Sequence, residues 1–204
     1  MIVAIIPIGS IDGAKSRLGA VLDAEERRDL ALRLARGTIR AAVATPGIDE
    51  AIVVTPDDEV RELAIQEGAR PLRQRSRGLN DGLREARDEA IAANADAVLV
   101  LPIDIPHVSP ELLSPLVAQA LDASGPLVAI VPDRHDRGTN ALLLSPPDVI
   151  EFCFGGDSKA AHVEAGSSVP GANVVLMYGP LTLDIDTPED LLLAQVETPE
   201  AVGG

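Results

Sequence analysis

Ala51-Ile-Val-Val-Thr-Pro-Asp-Asp-Glu-Val-Arg-Glu-Leu-Ala-Ile-Gln-Glu-Gly68 sets the fold class. Ala51–Val54 is a short aliphatic, β-branched run bounded by a turn signal, which reads as a buried strand. Thr55-Pro56-Asp57-Asp58 then supplies the parts of a helix start: a hydroxyl cap, a proline at the first helical position and an acid at the third. The helix so opened stops at Gly68, and Ala69–Leu72 reads as a further short strand. Strand, helix and strand in so short a span form the crossover unit of a parallel sheet.

The alternation continues in both directions. Upstream, Ile2–Ile8 reads as a buried strand. Asp23-Ala-Glu-Glu26 is a capping box opening a helix whose apolar stripe runs through Leu30, Ala31, Leu34, Ala35, Thr38 and Ala42. Downstream, Asn80–Asn94 reads as helix, Ala97–Leu101 as strand, and Ser109-Pro110-Glu111 opens another helix. Leu127–Val131, Ala141–Leu144, Val174–Met177 and Leu181–Ile185 read as strands, and Thr187-Pro188-Glu189-Asp190 caps a last helix. No repeat, linker or composition shift interrupts the chain. The expectation is an α/β protein with one domain over residues 1–197 and a loose tail, 198–204.

Composition narrows the partners. The 204 residues carry 32 acids and 17 lysines and arginines, a formal net charge of −15, and 46% are hydrophobic. A globular chain this acidic excludes a nucleic-acid polymer or an anionic membrane as partner, since both need a basic face. Phe152, Phe154 and Tyr178 are the whole aromatic complement, so no stacking platform exists and the core is aliphatic. Cys153 stands alone, which excludes an internal disulfide and a thiolate metal site and fits a reducing cytoplasm. Met1–Ile8 is too short for a secretory core and lacks a basic leader, and no run reaches the roughly 18 apolar residues of a membrane span. The expected localisation is cytoplasmic.

Ligands of open α/β sheets bind at the carboxyl ends of the strands, so polar residues just after strands are the candidates. Gly9-Ser-Ile-Asp-Gly-Ala-Lys15-Ser16-Arg17-Leu18 follows the first strand and sets two cations on a glycine-containing loop, an arrangement suited to phosphates. Its spacing nearly spells a P-loop, but Ala14 replaces the second glycine and Gly19 interrupts the helix that should begin at the lysine. The bland alternative is a solvated surface loop. Leu101-Pro102-Ile-Asp104-Ile-Pro106 runs a strand into a carboxylate able to hold Mg²⁺ against phosphate oxygens; alone it would be a turn aspartate. In Leu183-Asp184-Ile185-Asp186-Thr187-Pro188, residues i and i+2 of an extended strand point the same way, so two carboxylates face one site. Such a pair repels unless a cation or proton intervenes; otherwise Asp186 only stabilises the next helix start. Phe154-Gly155-Gly156-Asp157-Ser158 is a glycine turn into a helix, whose free N–H groups favour an anion. Arg70 and Arg73 read as solvated, while Gly78, Leu79 and Asn80 are placed to frame a base through backbone groups. His135 and His162 read as surface or supporting residues rather than catalysts.

Taken together, Ala14-Lys-Ser-Arg-Leu18, Gly78-Leu-Asn80, Leu101-Pro-Ile-Asp-Ile-Pro106, Pro132-Asp-Arg-His135, Gly138-Thr-Asn-Ala-Leu-Leu-Leu144, Phe152-Cys-Phe-Gly155 with Ser158 and His162, and Leu183-Asp-Ile-Asp-Thr-Pro-Glu-Asp190 occur in an order that resembles the 2-phospho-L-lactate guanylyltransferase family. That family includes the phosphoenolpyruvate guanylyltransferases of coenzyme F-420 biosynthesis. The resemblance covers nearly the whole chain. It implies a three-layer, mixed but mostly parallel sheet flanked by helices, the Rossmann-like nucleotide-diphospho-sugar transferase fold of the molybdenum-cofactor guanylyltransferases. The implied reaction moves GMP from GTP to the phosphate of phosphoenolpyruvate or 2-phospho-L-lactate and releases pyrophosphate. Its implied partners are GTP and a small phosphorylated carboxylic acid.

The resemblance also implies roles. Lys15, Arg17 and Asp104 are catalytic, and Asp104, Asp184 and Asp186 hold Mg²⁺. Pro7, Gly9, Lys15, Arg17, Gly78, Leu79, Asn80 and Pro102 bind the nucleotide, and Thr139, Gly155 and Ser158 bind the acceptor. Two departures stand out: Gly9 where the family usually has a lysine, and Lys159 where an aromatic commonly follows the serine. Lys159 is expected to compensate charge near the acceptor. The alternatives are a related nucleotidyltransferase acting on 3-phosphoglycerate, a molybdenum cofactor or a sugar phosphate, or a non-catalytic nucleotide-binding regulator. Retention of all three aspartates argues against the last. Oligomeric state stays open, with a homodimer among the options.

Overall fold

The computed structural model describes residues 1–196. Seven strands form one sheet: β1 (Ile2–Pro7), β2 (Glu50–Thr55), β3 (Arg70–Arg73), β4 (Ala97–Val100), β5 (Leu127–Pro132), β6 (Thr139–Ser145) and β7 (Asn173–Leu176). Six helices connect them: α1 (Ala24–Ala44), α2 (Asp58–Gln66), α3 (Leu79–Ala92), α4 (Pro110–Asp122), α5 (Ser158–Ser167) and α6 (Pro188–Val196). The strand order is β3-β2-β1-β4-β6-β5-β7. β6 runs antiparallel to both its neighbours, and the other pairings are parallel. This is the mixed, mostly parallel sheet the sequence leads one to expect.

Alternation along the buried strands sorts side chains into two layers. Ala4 and Ile6 of β1 pack with Ala35 and Ile39 of α1, Leu63 of α2 and Leu113 of α4. Val3 and Ile5 face the other way, with Leu83 and Ala86 of α3 and with Phe152. Helices therefore cover both faces. A smaller apolar cluster of Leu18, Leu30, Leu34, Leu183, Ile185 and Ala194 seats the loop after β1 and the segment before α6 against α1. Among the described residues, no helix is long and apolar enough to cross a membrane.

Local sequence explains most boundaries. Asp23 and Glu26 exchange side-chain-to-backbone bonds of 2.8 and 2.9 Å, the capping box expected at α1. Ser109 caps α4, with Pro110 in its first turn. Two readings need correction. The start of α2 is capped by Asp57, not Thr55, because β2 keeps its ladder through Thr55. Asp57 accepts the Glu59 N–H with one oxygen and the Ile11 N–H with the other, so the cap also ties down the loop after β1.

Leu181–Ile185 is not a strand. Pro180–Thr182 forms a 3₁₀ turn, and the residues after it make no ladder. Their alternating pattern marks burial of Leu181, Leu183 and Ile185 rather than pairing. The carbonyls of Leu181 and Thr182 accept instead from the Asn140 side chain, and the Ile185 N–H donates to Asp104 O at 2.9 Å. The tail over residues 198–204 lies outside the described residues.

Candidate active site

After β1 the chain turns at Lys15, which holds φ at 53° and opens a single 3₁₀ turn, Ser16–Leu18. A positive φ is costly for a side-chain-bearing residue and persists only where its surroundings fix it. Here the buried Leu18 and the Leu18 N–H bond to Lys15 O at 2.9 Å do so. No P-loop helix begins at the lysine. The turn aims the Lys15 ammonium inward: Nζ donates to Ile185 O at 2.7 Å and stands 3.5 Å from Asp186 and 3.9 Å from Asp104. Arg17 remains exposed and donates to Asp186 Oδ2 at 3.0 Å.

Asp104 leaves the carboxyl end of β4, and Asp184 and Asp186 come from the segment before α6. One oxygen from each of the three lies within 4.8 Å of the others. The two aspartates thus converge with the first without the strand that was to align them. Their supports are polar. The Asn140 amide reaches Asp184 Oδ1 at 3.5 Å while holding the carbonyls of Leu181 and Thr182. Asp190, buried, accepts the N–H groups of Asp186 and Thr187 and pairs with Arg134 at 2.6 Å.

Crowding shows in the ionisation. Burial, then the charges of Asp104 and Asp186, push Asp184 up to about 6. Asp104 is also raised, chiefly by burial, against the pull of Lys15. Three mutually repelling carboxylates offer hard oxygen donors of the kind a divalent cation takes, and a cation is what relieves their repulsion.

Pro7, Gly9, Gly78 and Leu79 share a cavity of about 400 Å³ with Ile8, Pro56, Gln74, Ser76 and Arg77. Asn80 turns elsewhere: its amide nitrogen donates to Phe154 O at 3.0 Å and its oxygen accepts from Phe154 N–H at 2.9 Å. Pro102 follows β4 and does not line this cavity. Gln74 was not singled out from sequence. Its Nε2 donates to Ser76 O and Gly78 O, shaping the loop in front of α3. Arg70 and Arg73 lie in β3 rather than in a solvated loop, Arg70 half-buried against Glu50 and Arg73 paired with Asp58.

Thr139 begins β6, and Ser158 begins α5; both are buried. Gly155 precedes that helix, its carbonyl accepting the Ser158 N–H at 3.3 Å. One turn further on α5, His162 is buried and bonded at both ring nitrogens, 3.1 Å from Thr139 Oγ1 and 3.0 Å from Cys153 N. Burial lowers its pKa to about 4. It is not a free base, in line with the reading of it as a supporting residue. Lys159 pairs with Asp136 at 2.6 Å, so its charge is matched on the 133–138 loop rather than left open for a ligand. Asn140, Asp190 and Arg134 complete the site. All three stood inside motifs quoted from the sequence, but nothing in their spacing told which backbone they would hold.

A carboxylate cluster with two cations, at the carboxyl ends of β1 and β4 and beside a base-sized cavity, defines a nucleotidyltransferase class of α/β enzyme. Solved structures share the fold. One from Desulfovibrio desulfuricans described as a nucleotide-diphospho-sugar transferase superposes with a TM-score of 0.77 at 17% identity, covering 98% of this chain and 89% of that one. A Methanothermobacter nucleotidyl transferase gives 0.64 at 21% identity, covering 95% of each chain. The chain belongs to the family described as guanylyl transferase CofC like, whose model matches residues 2–197. It is 43% identical to a phosphoenolpyruvate guanylyltransferase of Sphaerobacter thermophilus, over 93% of this chain and 90% of the relative. It is 30% identical to a 2-phospho-L-lactate guanylyltransferase of Methanocaldococcus fervens, over 92% and 81%.

Proposed function

We propose that this chain transfers GMP from GTP to the phosphate of phosphoenolpyruvate, releasing pyrophosphate, as a single cytoplasmic nucleotidyltransferase domain over residues 1–197. The observation that carries the reading is the gathering of Asp104, Asp184 and Asp186 with Lys15 and Arg17 at one end of the sheet. Phosphoenolpyruvate is favoured over 2-phospho-L-lactate because two relatives bearing the former name stand at 43% and 41% identity, while relatives bearing the latter stand at 30% and 29%.

The chemistry asks little of a base. A phosphate monoester has a second pKa of about 6, so the attacking oxygen is already anionic at neutral pH. The site must instead align two polyanions and neutralise their charge. Asp104, Asp184 and Asp186 would hold Mg²⁺, which when bound supplies that neutralisation. Lys15 and Arg17, now set against the carboxylates, are the cations nearest to accept the triphosphate. Gly78 and Leu79 frame guanine through the cavity they share with Pro7 and Gly9. Thr139, Ser158 and the N–H groups near Gly155 hold the acceptor's anionic groups, helped by the N-terminus of α5.

The test is pyrophosphate release from GTP and magnesium with phosphoenolpyruvate, 2-phospho-L-lactate or 3-phosphoglycerate offered separately. Phosphoenolpyruvate should give the highest kcat/KM. A stronger response to either of the others reassigns the acceptor, and GTP binding without turnover on any of them overturns the enzyme reading.

A further inference from the structure

The surroundings of His162 contain a device that the proposed reaction does not by itself explain. The ring is fully buried on α5, one turn beyond Ser158 and on the same helix face. Phe154 packs edge-on against it with ring centroids 5.0 Å apart. Its two nitrogens have one partner each. Cys153 N–H, a backbone donor that can never act as an acceptor, points at Nε2 from 3.0 Å. Thr139 Oγ1 lies 3.1 Å from Nδ1.

Those two contacts fix the hydrogen bonding. Nε2 must present its lone pair to Cys153, so in the neutral ring the proton sits on Nδ1. Nδ1–H then donates to Thr139 Oγ1. That hydroxyl oxygen is occupied as an acceptor, and its own proton is left to donate elsewhere. Among the described residues, Thr139 Oγ1 has no other hydrogen-bond partner. Ser158 lies on the same face of α5 and its hydroxyl makes no hydrogen bond among the described residues.

We propose that His162 is a positioning residue for the acceptor. Held by Cys153 N–H in the Nδ1-protonated form, it turns the Thr139 hydroxyl into a donor aimed at the acceptor's phosphate or carboxylate. The inference rests on the acceptor role proposed for Thr139 and goes beyond it by assigning which atom gives which proton. The Cys153–Phe154 segment is part of the device. Asn80 clamps Phe154's backbone from α3 while Cys153 N–H sets the ring, so the donor's orientation is anchored in two helices.

Two substitutions of unlike shape separate the roles of the ring nitrogens. Asparagine places its amide near the Nδ1 position and can still donate to Thr139; glutamine reaches the Nε2 position and leaves nothing at Nδ1. With the full-length protein, GTP, magnesium and phosphoenolpyruvate, H162Q should raise the acceptor KM about tenfold with the GTP KM within about twofold. H162N should recover most of that loss. In a Thr139→Ala background, H162Q should add no more than about twofold, because its effect passes through the missing hydroxyl. Equal changes in both KM values, or a full additional loss in the double variant, overturn the proposal.

A readout that needs no variant is the long-range ¹H–¹⁵N spectrum of the wild-type ring. An Nδ1-protonated signature at neutral pH supports the assignment, and an Nε2-protonated or doubly protonated ring overturns it. Wild-type protein inactive on every acceptor overturns the proposed function, and this inference falls with it. An active wild type whose H162Q variant keeps its acceptor KM overturns the inference alone.

Discussion

At one end of the site, Asp104, Asp184 and Asp186 bring their oxygens within 4.8 Å of one another and, among the described residues, are balanced by ion pairs with Lys15 and Arg17. At the other end, Thr139, Ser158 and His162 are buried and neutral, and the ring is bonded at both nitrogens. The first end stores electrostatic repulsion, which a bound cation can draw on. The second has its geometry set in advance, so that little reorganisation is left for the moment of binding. Charge is left unresolved where a metal is to arrive, and where a small anion must be read the ring is fixed while the Thr139 and Ser158 hydroxyls keep their protons to give.

The largest effect should come from removing one charge at the crowded end. Asp184→Asn is expected to lower turnover by about a thousandfold, the scale of losing a group that stabilises transition-state charge. It should also raise the melting temperature without metal, since the aspartate is held up near 6 by burial and by its neighbours' charges. Wild-type turnover in this variant would break the comparison at its first term.

The neutral end answers to pH instead. His162 has its pKa lowered from 6.5 to about 4, so the unfolded chain binds the proton more readily than the folded one between those values. Its stabilising contribution is complete above 6.5 and is lost as the pH falls toward 4, a change of up to about 3 kcal/mol. Asp184, shifted the other way, slopes oppositely over part of that range. Denaturation of the wild type and H162N should therefore be compared from neutral pH to about 4.5. A difference between them that does not shrink on acidification would refute the buried, neutral ring.

Asp190 joins the two ends, since it holds Asp186 and Thr187 backbone on one side and Arg134 of the 133–138 loop on the other. Asp190→Ala should cost about 2 kcal/mol of stability, because it strands buried donors, and should weaken magnesium stabilisation of the fold in thermal melts. The smallest effect expected is a gain. No atom lies within 4 Å of where a Cβ on Gly9 would stand, so Gly9→Lys fits the loop. It should lower the GTP KM a few-fold, roughly one exposed charge contact, in steady-state assays.

Much of this was legible in the sequence for a physical reason. Strands buried on both faces must be continuous aliphatic runs, and helix caps must use a few side chains at fixed offsets; Ile2–Pro7, Ala97–Val100 and Asp23–Glu26 obey both. The three aspartates each have a plainer reading, as a turn residue or the start of a helix, and become a candidate set in the sequence only when taken together and with the family resemblance. Leu181–Ile185 deceived because alternation reports which side chains are buried, and a segment can bury every second residue while giving its carbonyls to Asn140. Thr55 reads as the cap because a hydroxyl stands before Pro56, and the β2–β3 ladder, which runs through Thr55, moves the cap to Asp57. Which backbone groups Asn80, Asp190 and His162 would hold depends on segments far away in the chain, and spacing carries no record of that.

The ladder between β5 and β6 pairs Pro132 with Thr139 and Val131 with Ala141, so Asn140 is an extra residue in β6. Such a bulge re-aims the side chains around it. Here Thr139 meets His162 of α5, while its neighbour Asn140 reaches the 181–184 segment. Both ends of the site thus take their bearings from a single irregularity in strand length. Chain length, rather than residue identity, is then the fragile property at this point. Deleting Asn140 would restore a plain ladder and leave the 181–184 carbonyls without their donor, and the same change of register would bear on how Thr139 meets His162.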